Sequence, residues 1–396
     1  MRRMKGAAGL LTALLLAFQL SAQTFALANE DNGIKVVPVN FTHNGYSYEI
    51  EGVAKSTDGD YQMKSPARLA ARKLPSTYDP RSSGEITTVK DQASTGACWA
   101  FSALACAEQD LIKKGLENPS TEFSVPALVL SSNSGTATGK DDFSSGGNWL
   151  FAASALANGQ GLCYEDYEPF LESGTGNMIV SENKKSVSEY RLNYVMELSS
   201  TTQVKRKIME LGAVSASYFA GNGYMNHNNT AYYDPDASKN TIINHSVTVV
   251  GWDDNYSKDN FRYKPANNGA WLVKGSWGAD QDNDGFYWVS YDEAEFGQFC
   301  CYDFEESCDN TYHYSKMTGY VVNASNDGSV YGANVFTAKA DEKLDKAGFM
   351  YVGKTGSADY TLSVYTNVSD SDPIGVLETQ ISDSVSANGF YTVDFP

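Results

Sequence analysis

One cysteine at the start of a helical pattern constrains this chain more than any other feature. A polar loop containing Gly96 runs directly into Cys98. Small or apolar residues then recur at helical spacing, at Ala100, Ala103, Leu104, Ala107 and Leu111. Gly115 follows two lysines, where a left-handed residue commonly ends a helix. The thiol therefore lies at a helix N-terminus, where unpaired N–H groups and the helix dipole favour the thiolate. We interpret Cys98 as a nucleophile.

The residues around Cys98 carry a family resemblance. Gln92 precedes the cysteine, and the run Gly96-Ala97-Cys98-Trp99-Ala100-Phe101 resembles the nucleophile segment of papain-like cysteine peptidases. The resemblance implies a hydrolase that cleaves peptide or protein substrates without a cofactor or a metal ion. It also implies that the Gln92 side chain and the Cys98 backbone N–H form the oxyanion hole. Thr95 stands where the family usually has a second, disulfide-bonded cysteine, and the chemistry does not depend on that link.

A thiolate nucleophile needs a base, and the chain has four histidines. Three of them lie in the N-terminal segment, in a polar loop and in the C-terminal region, at His43, His227 and His313. His245 instead opens the apolar run Ser246 to Trp252, which is typical of a buried strand, and its separation from Cys98 lies within the range of the family. A rigid strand holds an imidazole better than a loop does. We therefore predict that His245 is the base.

The chain departs from the family at the place of the asparagine that orients the imidazole. The run Gly275-Ser276-Trp277-Gly278 resembles Asn-Ser-Trp-Gly, in which the Trp shields the bond between Asn and imidazole. Gly275 has no side chain to make that bond. A water molecule or the adjacent Asn244 remain as substitutes, although the Asn244 side chain points to the opposite strand face. One neutral hydrogen bond contributes about 0.5–1.5 kcal/mol, so we expect a weakened enzyme rather than an inactive one.

A glycine pair lies between the nucleophile and the base. Gly146-Gly147 and Trp149 follow a Gly/Ser-rich loop. Alone, this pattern is typical of an ordinary turn before a helix over 150–157. Beside the Cys98 motif, the resemblance implies that the pair lines a cleft, where missing side chains let an extended substrate backbone approach. We assign Gly146, Gly147, Trp149 and Trp277 to substrate binding.

The first 28 residues have the parts of a secretory signal peptide. A basic start and an apolar run over 7–20 lead to the small-residue cleavage site Ala26-Leu27-Ala28. The apolar run is short for a membrane span, and we expect no span elsewhere. The sequence therefore predicts a secreted or cell-surface protein. Residues 29–75 are too short for the long helical propeptide of many papain-like enzymes. We interpret them as a short prosegment or linker, with one alternating stretch from Ile34 to Phe41.

Charge and cysteine content limit the partners. The formal net charge is −18, which argues against nucleic acid or anionic lipid as a partner. Six cysteines leave five besides Cys98, enough for at most two disulfides; Cys300 and Cys308 are one pair that could close a small loop. No Cys/His spacing resembles a zinc site. The run Asp280 to Gly285 resembles the start of a calcium loop, but its twelfth position is Tyr291 rather than Glu, so a turn between strands is favoured.

Helical patterns in the first half and β-branched runs in the second predict an α+β fold. The resemblance implies a papain-like domain over 76–300, with a helical lobe and a β-barrel-like lobe. From about 309 the pattern becomes all-β and sandwich-like. Tyr360, Leu362 and Val364 alternate with polar residues, as do Tyr391, Val393 and Phe395. This tail, 309–396, resembles the lectin-like domain of a group of exported bacterial papain-like proteins, and we expect it to be truncated.

Three functions remain open from the sequence. The first is an exported peptidase whose C-terminal domain binds a cell-wall or surface glycan. The second is a glycan-binding surface protein whose peptidase lobe no longer turns over, as the loss of Asn at Gly275 would allow. The third is a Cys-His acyl transferase or amidase, against which Gly146-Gly147 and the run Ser276 to Gly278 argue.

Overall fold

The computed structural model describes most of the chain after residue 72. The described ranges are 13–21, 35–43, 46–54, 73–132, 143, 146–159, 161–170, 189–221, 223–237, 242–279, 282–313, 329–353, 356–368 and 375–395. Contacts divide the chain into two compact units, one built mainly from 69–308 with 33–61, and the other mainly from 309–396 with 1–32.

The larger unit contains four α-helices within the described residues. They are α1 (Cys98–Lys113), α2 (Val125–Ser132), α3 (Trp149–Ala157) and α4 (Thr201–Leu211). Helix α1 begins at Cys98, as predicted, and is buried along nearly its whole length. Gly115, beyond its end, has the left-handed φ of 71° that only glycine adopts without strain. The buried path of α1 explains its small and apolar residues.

A long mixed sheet packs against α1 and α4. Its order is β5 (Tyr190–Leu198), β12 (Gly297–Glu306), β6 (Val214–Tyr218), β9 (His245–Asp253), β10 (Ala270–Lys274), β11 (Phe286–Ser290) and β7 (Ala231–Tyr232). Its neighbouring strands are antiparallel, except for the parallel pair of β11 and β7. The short β4 (Thr77–Tyr78) also pairs with β9. Strand β9 is buried up to its last residue, so the apolar run after His245 is a core strand, as predicted.

The segment before the helical lobe forms a hairpin. Strands β2 (Lys35–His43) and β3 (Tyr46–Ala54) pair antiparallel, and β3 also pairs with the two-residue β8 (Ile242–Ile243). The alternating stretch found in the sequence thus forms most of β2. Through the pairing of β3 with β8, this hairpin lies beside the residues just before His245.

The smaller unit is all-β in its described residues. One antiparallel sheet has the order β13 (Ser329–Thr337), β1 (Ala13–Ser21), β15 (Ala358–Thr366) and β16 (Val376–Val385), and β14 (Lys346–Tyr351) pairs with β17 (Gly389–Asp394). Tyr360, Leu362 and Val364 are buried in its core, as their alternation predicts. Strand β1 is taken from the apolar run that the sequence assigns to the signal peptide.

Two local interpretations can be compared with the structure. Cys300 lies inside the extended strand β12 and Cys308 lies just beyond its end, so the chain between them cannot turn back to join the two sulfurs, and that disulfide is excluded. Asp282–Gly285 forms a short turn before β11, with Asn283 and Asp284 in the left-handed region. The structure therefore contains the predicted turn. Asp280 and Gln281 lie outside the described residues.

Candidate active site

The Cys98 thiol lies at the first residue of α1 and is buried, with 5% of the residue exposed. Ala97, the preceding residue, makes no side-chain cap, so the first peptide N–H groups of the helix point toward the thiol region. Burial raises the pKa of Cys98 to about 11, while hydrogen bonds from Ser246 and from the peptide N–H groups of Trp99 and Cys98 lower it. Desolvation is the larger effect. The helix N-terminus alone therefore does not produce a thiolate at neutral pH, contrary to the simplest expectation from sequence.

Helix α1 is fixed against the strand that carries His245. The Ser102 hydroxyl, one turn after Cys98, donates to the carbonyl of Val247 over 2.7 Å and bonds the Ser215 hydroxyl over 2.9 Å. These bonds bring the helix N-terminus to the start of β9. The hydrogen bonds from Ser246 that lower the pKa of Cys98 come from the residue that directly follows His245.

The His245 imidazole is held between aromatic rings. It is 2% exposed and stacks on Trp277, with 4.4 Å between ring centroids and 4° between planes. Tyr218, the residue opposite His245 on β6, makes a T-shaped contact with the imidazole, with 5.9 Å between the ring centroids. Trp277 therefore covers the imidazole face. This contact agrees with the shielding role that the resemblance implies.

The Gln92 side chain is oriented by two hydrogen bonds. Ser276 donates its hydroxyl hydrogen to Gln92 Oε1 over 2.6 Å, and Gln92 Nε2 donates to the Thr95 carbonyl over 2.8 Å. Because both ends of the amide are bonded, the Gln92 side chain is held in one orientation. A backbone bond from Gln92 N to Ser276 O, 2.7 Å, joins the same two segments. The side-chain amide of Gln92 has a second N–H that can donate a hydrogen bond to an oxyanion.

The structure shows the surroundings of Gly275 and the orientation of Asn244, one of the two substitutes considered for the missing asparagine. The backbone of Gly275 lies outside the left-handed region, and a Cβ there would lie 3.1 Å from the Gly285 carbonyl oxygen and 3.4 Å from Tyr287 Cε1. Asn244 is turned away: its Oδ1 accepts from Ala220 N at 2.7 Å and its Nδ2 donates to Ala220 O at 3.3 Å. Asn244 therefore does not orient the imidazole, in agreement with the strand alternation.

Gly147, the second residue of the glycine pair, packs on the indole next to the nucleophile. A Cβ on Gly147 would overlap the Trp99 ring at 2.4 Å, so this backbone approach requires glycine. Trp149 begins α3, which Asn148 caps by accepting from Leu150 N, and the Trp149 indole donates to Glu197 at 3.0 Å. Gly147 thus lies beside Trp99, whereas Trp149 is tied to strand β5.

A buried charge cluster next to the site was not found from the sequence. Lys274 is 4% exposed and donates to the Thr87 hydroxyl over 2.6 Å, and that hydroxyl donates to Glu108 over 2.8 Å. Lys90 lies 3.3 Å from Glu108. Burial lowers the pKa of Lys274 to about 8, and Glu108 opposes that shift. The sequence signal for this cluster was Lys274 itself, a charged residue that directly follows the apolar run Trp271 to Val273.

The structure thus places a buried thiol at a helix N-terminus, an imidazole at the start of a strand that packs on that helix and a fixed glutamine on one α+β fold. The sequence model of the papain family cysteine proteases matches residues 74–309, and the chain belongs to this family. A second model, described as a lectin like domain, matches residues 311–396.

Curated relatives resemble only the peptidase part. Cathepsin S of Bos taurus is 29% identical over 218 residues, which are 54% of this chain and 60% of the cathepsin. Cathepsin K of Mus musculus is 24% identical over 216 residues, or 54% and 59% of the two chains. The chain thus spans about three fifths of the length of these relatives.

Solved structures resemble both parts. The cysteine protease and lectin-like domains of Cwp84, a surface layer associated protein of Clostridium difficile, align with a TM-score of 0.67 and 27% identity, covering 84% of this chain and 73% of that one. A clostridial Cwp84 variant after propeptide cleavage aligns with a TM-score of 0.65 and 25% identity, covering 80% and 79%. In the described part of this chain, no helix is long and apolar enough to cross a membrane.

Proposed function

We propose that this chain is an exported cysteine peptidase that hydrolyses peptide bonds in peptide or protein substrates. Cys98 attacks the substrate carbonyl, and His245 accepts the thiol proton and later returns it to the leaving amine. Gln92 and the Cys98 N–H stabilise the oxyanion. Gly146, Gly147 and Trp277 line the substrate side of the site, and Trp149 supports it from α3. The observation that carries this proposal is the packing of α1, which begins at Cys98, against β9, which begins at His245, through the bond of the Ser102 hydroxyl to the Val247 carbonyl.

The raised pKa of Cys98 makes the base essential to this mechanism. With a pKa of about 11, the thiol alone is protonated at neutral pH. A proton acceptor must therefore convert it to a thiolate, and a protonated imidazole would stabilise the thiolate that it creates. His245 begins the strand that contacts the thiol. We assign it as that acceptor.

Labelling with a thiol-directed peptide epoxide tests the proposal. We expect one adduct on Cys98 and none in the Cys98→Ala variant, because the epoxide reacts only where a peptide site aligns it with an activated thiolate. The labelled cysteine is identified by peptide mass spectrometry. Because Gly275 provides no orienting carboxamide, we also expect slower turnover of a common peptide than by cathepsin S. Equal labelling of the buried Cys106 would contradict the assignment, and no labelling would favour one of the two other functions, the glycan-binding protein or the acyl transferase or amidase.

Export is the second part of the proposal, with the domains 1–28, 29–75, 76–300 and 309–396 as its organisation. Cleavage after Ala28 removes Ala13–Ser21, so strand β1 and the signal peptide exclude each other in the mature protein. We expect protein collected outside the cell to begin at Asn29, as read by N-terminal sequencing. Exported protein that still carries Met1 would instead support β1 as a permanent strand.

A glycan-binding surface protein is the alternative function, and the lectin-like match over 311–396 favours it. We expect the full chain to sediment with isolated cell-wall glycan and a chain ending at residue 308 to stay in solution. The Cys98→Ala variant controls for catalysis and should bind equally. Glycan binding together with an unreactive Cys98 would make this alternative the function; equal sedimentation of the long and short chains would remove it.

A further inference from the structure

The space beside Gly275 is occupied by a tyrosine. Strand β11 places Tyr287 opposite Val273, on the strand that leads into Gly275. The Tyr287 ring lies 3.4 Å from the position of a Cβ on Gly275. The ring would therefore be in van der Waals contact with the first atom of any side chain at position 275.

Tyr287 is joined to a second tyrosine that contacts the base. The Tyr287 and Tyr218 hydroxyl oxygens lie 2.9 Å apart in a hydrogen bond, and both residues are at least 96% buried. Tyr218 pairs with His245 across β6 and β9 and points its ring edge at the imidazole. Its own ring is fixed by Tyr232 at 5.0 Å and Phe296 at 5.4 Å.

Tyr287 also lies close to the nucleophile. Burial raises the pKa of Tyr287 well above its ordinary value, the bond from Tyr218 lowers it, and the charge on Cys98 raises it again. The charge on the thiol therefore acts on the phenol.

We propose that the hydrogen-bonded pair of Tyr287 and Tyr218 positions His245, replacing the side chain that Gly275 lacks. Both are positioning residues: they act through the imidazole and do not exchange the substrate proton. The proposal rests on the proposed function of Cys98 and His245.

The chemistry of a phenol pair suits this role. The bond between the two hydroxyls fixes the Tyr218 ring, and that ring packs against the imidazole. Since burial raises the pKa of both phenols, they stay neutral over the working pH range and add no charge beside the imidazole. Side chains locked in a packed cluster lose little further freedom when they hold a partner.

Removing one hydroxyl at a time tests the pair. We expect Tyr287→Phe, which keeps the ring, to lower kcat on a peptide by roughly tenfold with KM within about twofold, because a misplaced imidazole affects the proton transfer and not substrate binding. The pH profile of Cys98 alkylation should shift to higher pH. Tyr218→Phe should have a smaller effect in the same direction.

A control and a rescue separate positioning from folding. Tyr232→Phe removes a buried hydroxyl that donates to the Phe219 carbonyl in the same aromatic cluster, and should leave kcat and the alkylation profile unchanged. In the double variant Gly275→Asn/Tyr287→Ile, a carboxamide takes the volume that the ring leaves, and kcat should exceed that of Tyr287→Ile alone.

The outcomes are distinguishable. An unchanged kcat and an unchanged alkylation profile in Tyr287→Phe would overturn the inference, as would an equal loss in Tyr232→Phe. If the wild-type chain hydrolyses no peptide and no epoxide labels Cys98, the proposed function fails. The alkylation profile needs no turnover, so in that case the comparison of Tyr287→Phe with wild type still decides the inference.

Discussion

Replacing His245 with alanine should slow alkylation of Cys98 by iodoacetamide at pH 6 by about 10³-fold or more. Without the imidazole, the thiol keeps the pKa of about 11 that burial gives it, so its thiolate fraction at pH 6 is on the order of 10⁻⁵. With the imidazole, an ion pair should keep alkylation fast below pH 7. Peptide turnover should fall by roughly 10²–10⁴-fold, the usual contribution of a general base.

Two variants control this experiment. His245→Gln keeps a flat polar group on Trp277 but cannot take the proton at neutral pH, so it should behave like His245→Ala. His227→Ala removes an exposed histidine far from the thiol in sequence and should react as wild type does. A wild-type alkylation rate that rises steadily through pH 9, with no plateau below pH 7, would show that Cys98 and His245 form no ion pair.

The places of Cys98 and His245 in the fold were predictable because their signals are local. Cys98 sits at a helix start that its own neighbours specify, and His245 opens an apolar strand. Helical spacing and strand character are properties of short segments, so the sequence alone shows them. The α+β layout and the buried residues of the C-terminal strand β15 follow from the same patterns.

The environment of those residues was not predictable in the same way. The raised pKa of Cys98 depends on burial by segments distant in sequence, and the sequence shows only the helix N-terminus that lowers it. Tyr218 and Tyr287 read as ordinary strand residues, and their hydroxyls meet only when β6 and β11 join one sheet. Long-range contacts of this kind leave no local pattern.

The second large effect concerns the stability of the peptidase unit at alkaline pH. Burial lowers the pKa of Lys274 to about 8, against an ordinary value of 10.5. Between these two values the unfolded chain binds one more proton at this residue than the folded chain does, so folding stability rises with pH there. Below pH 8 both states are protonated, and the full cost of the buried ammonium is present. The shift corresponds to about 3 kcal/mol.

Lys274→Met removes this titration and keeps most of the side-chain volume. We expect the free energy of unfolding of the wild type to gain about 3 kcal/mol on that of Lys274→Met between pH 7.5 and 10.5, measured by urea unfolding at several pH values. Other groups titrate equally in both proteins and cancel in the difference. Lys264→Met, at a side chain that is 60% exposed, is the matched control and should show no such trend. A difference in the free energy of unfolding between wild type and Lys274→Met that stays constant with pH would mean that Glu108 keeps Lys274 charged throughout, so that the ion pair outweighs desolvation. A difference that grows only above pH 8 would mean that desolvation outweighs the ion pair.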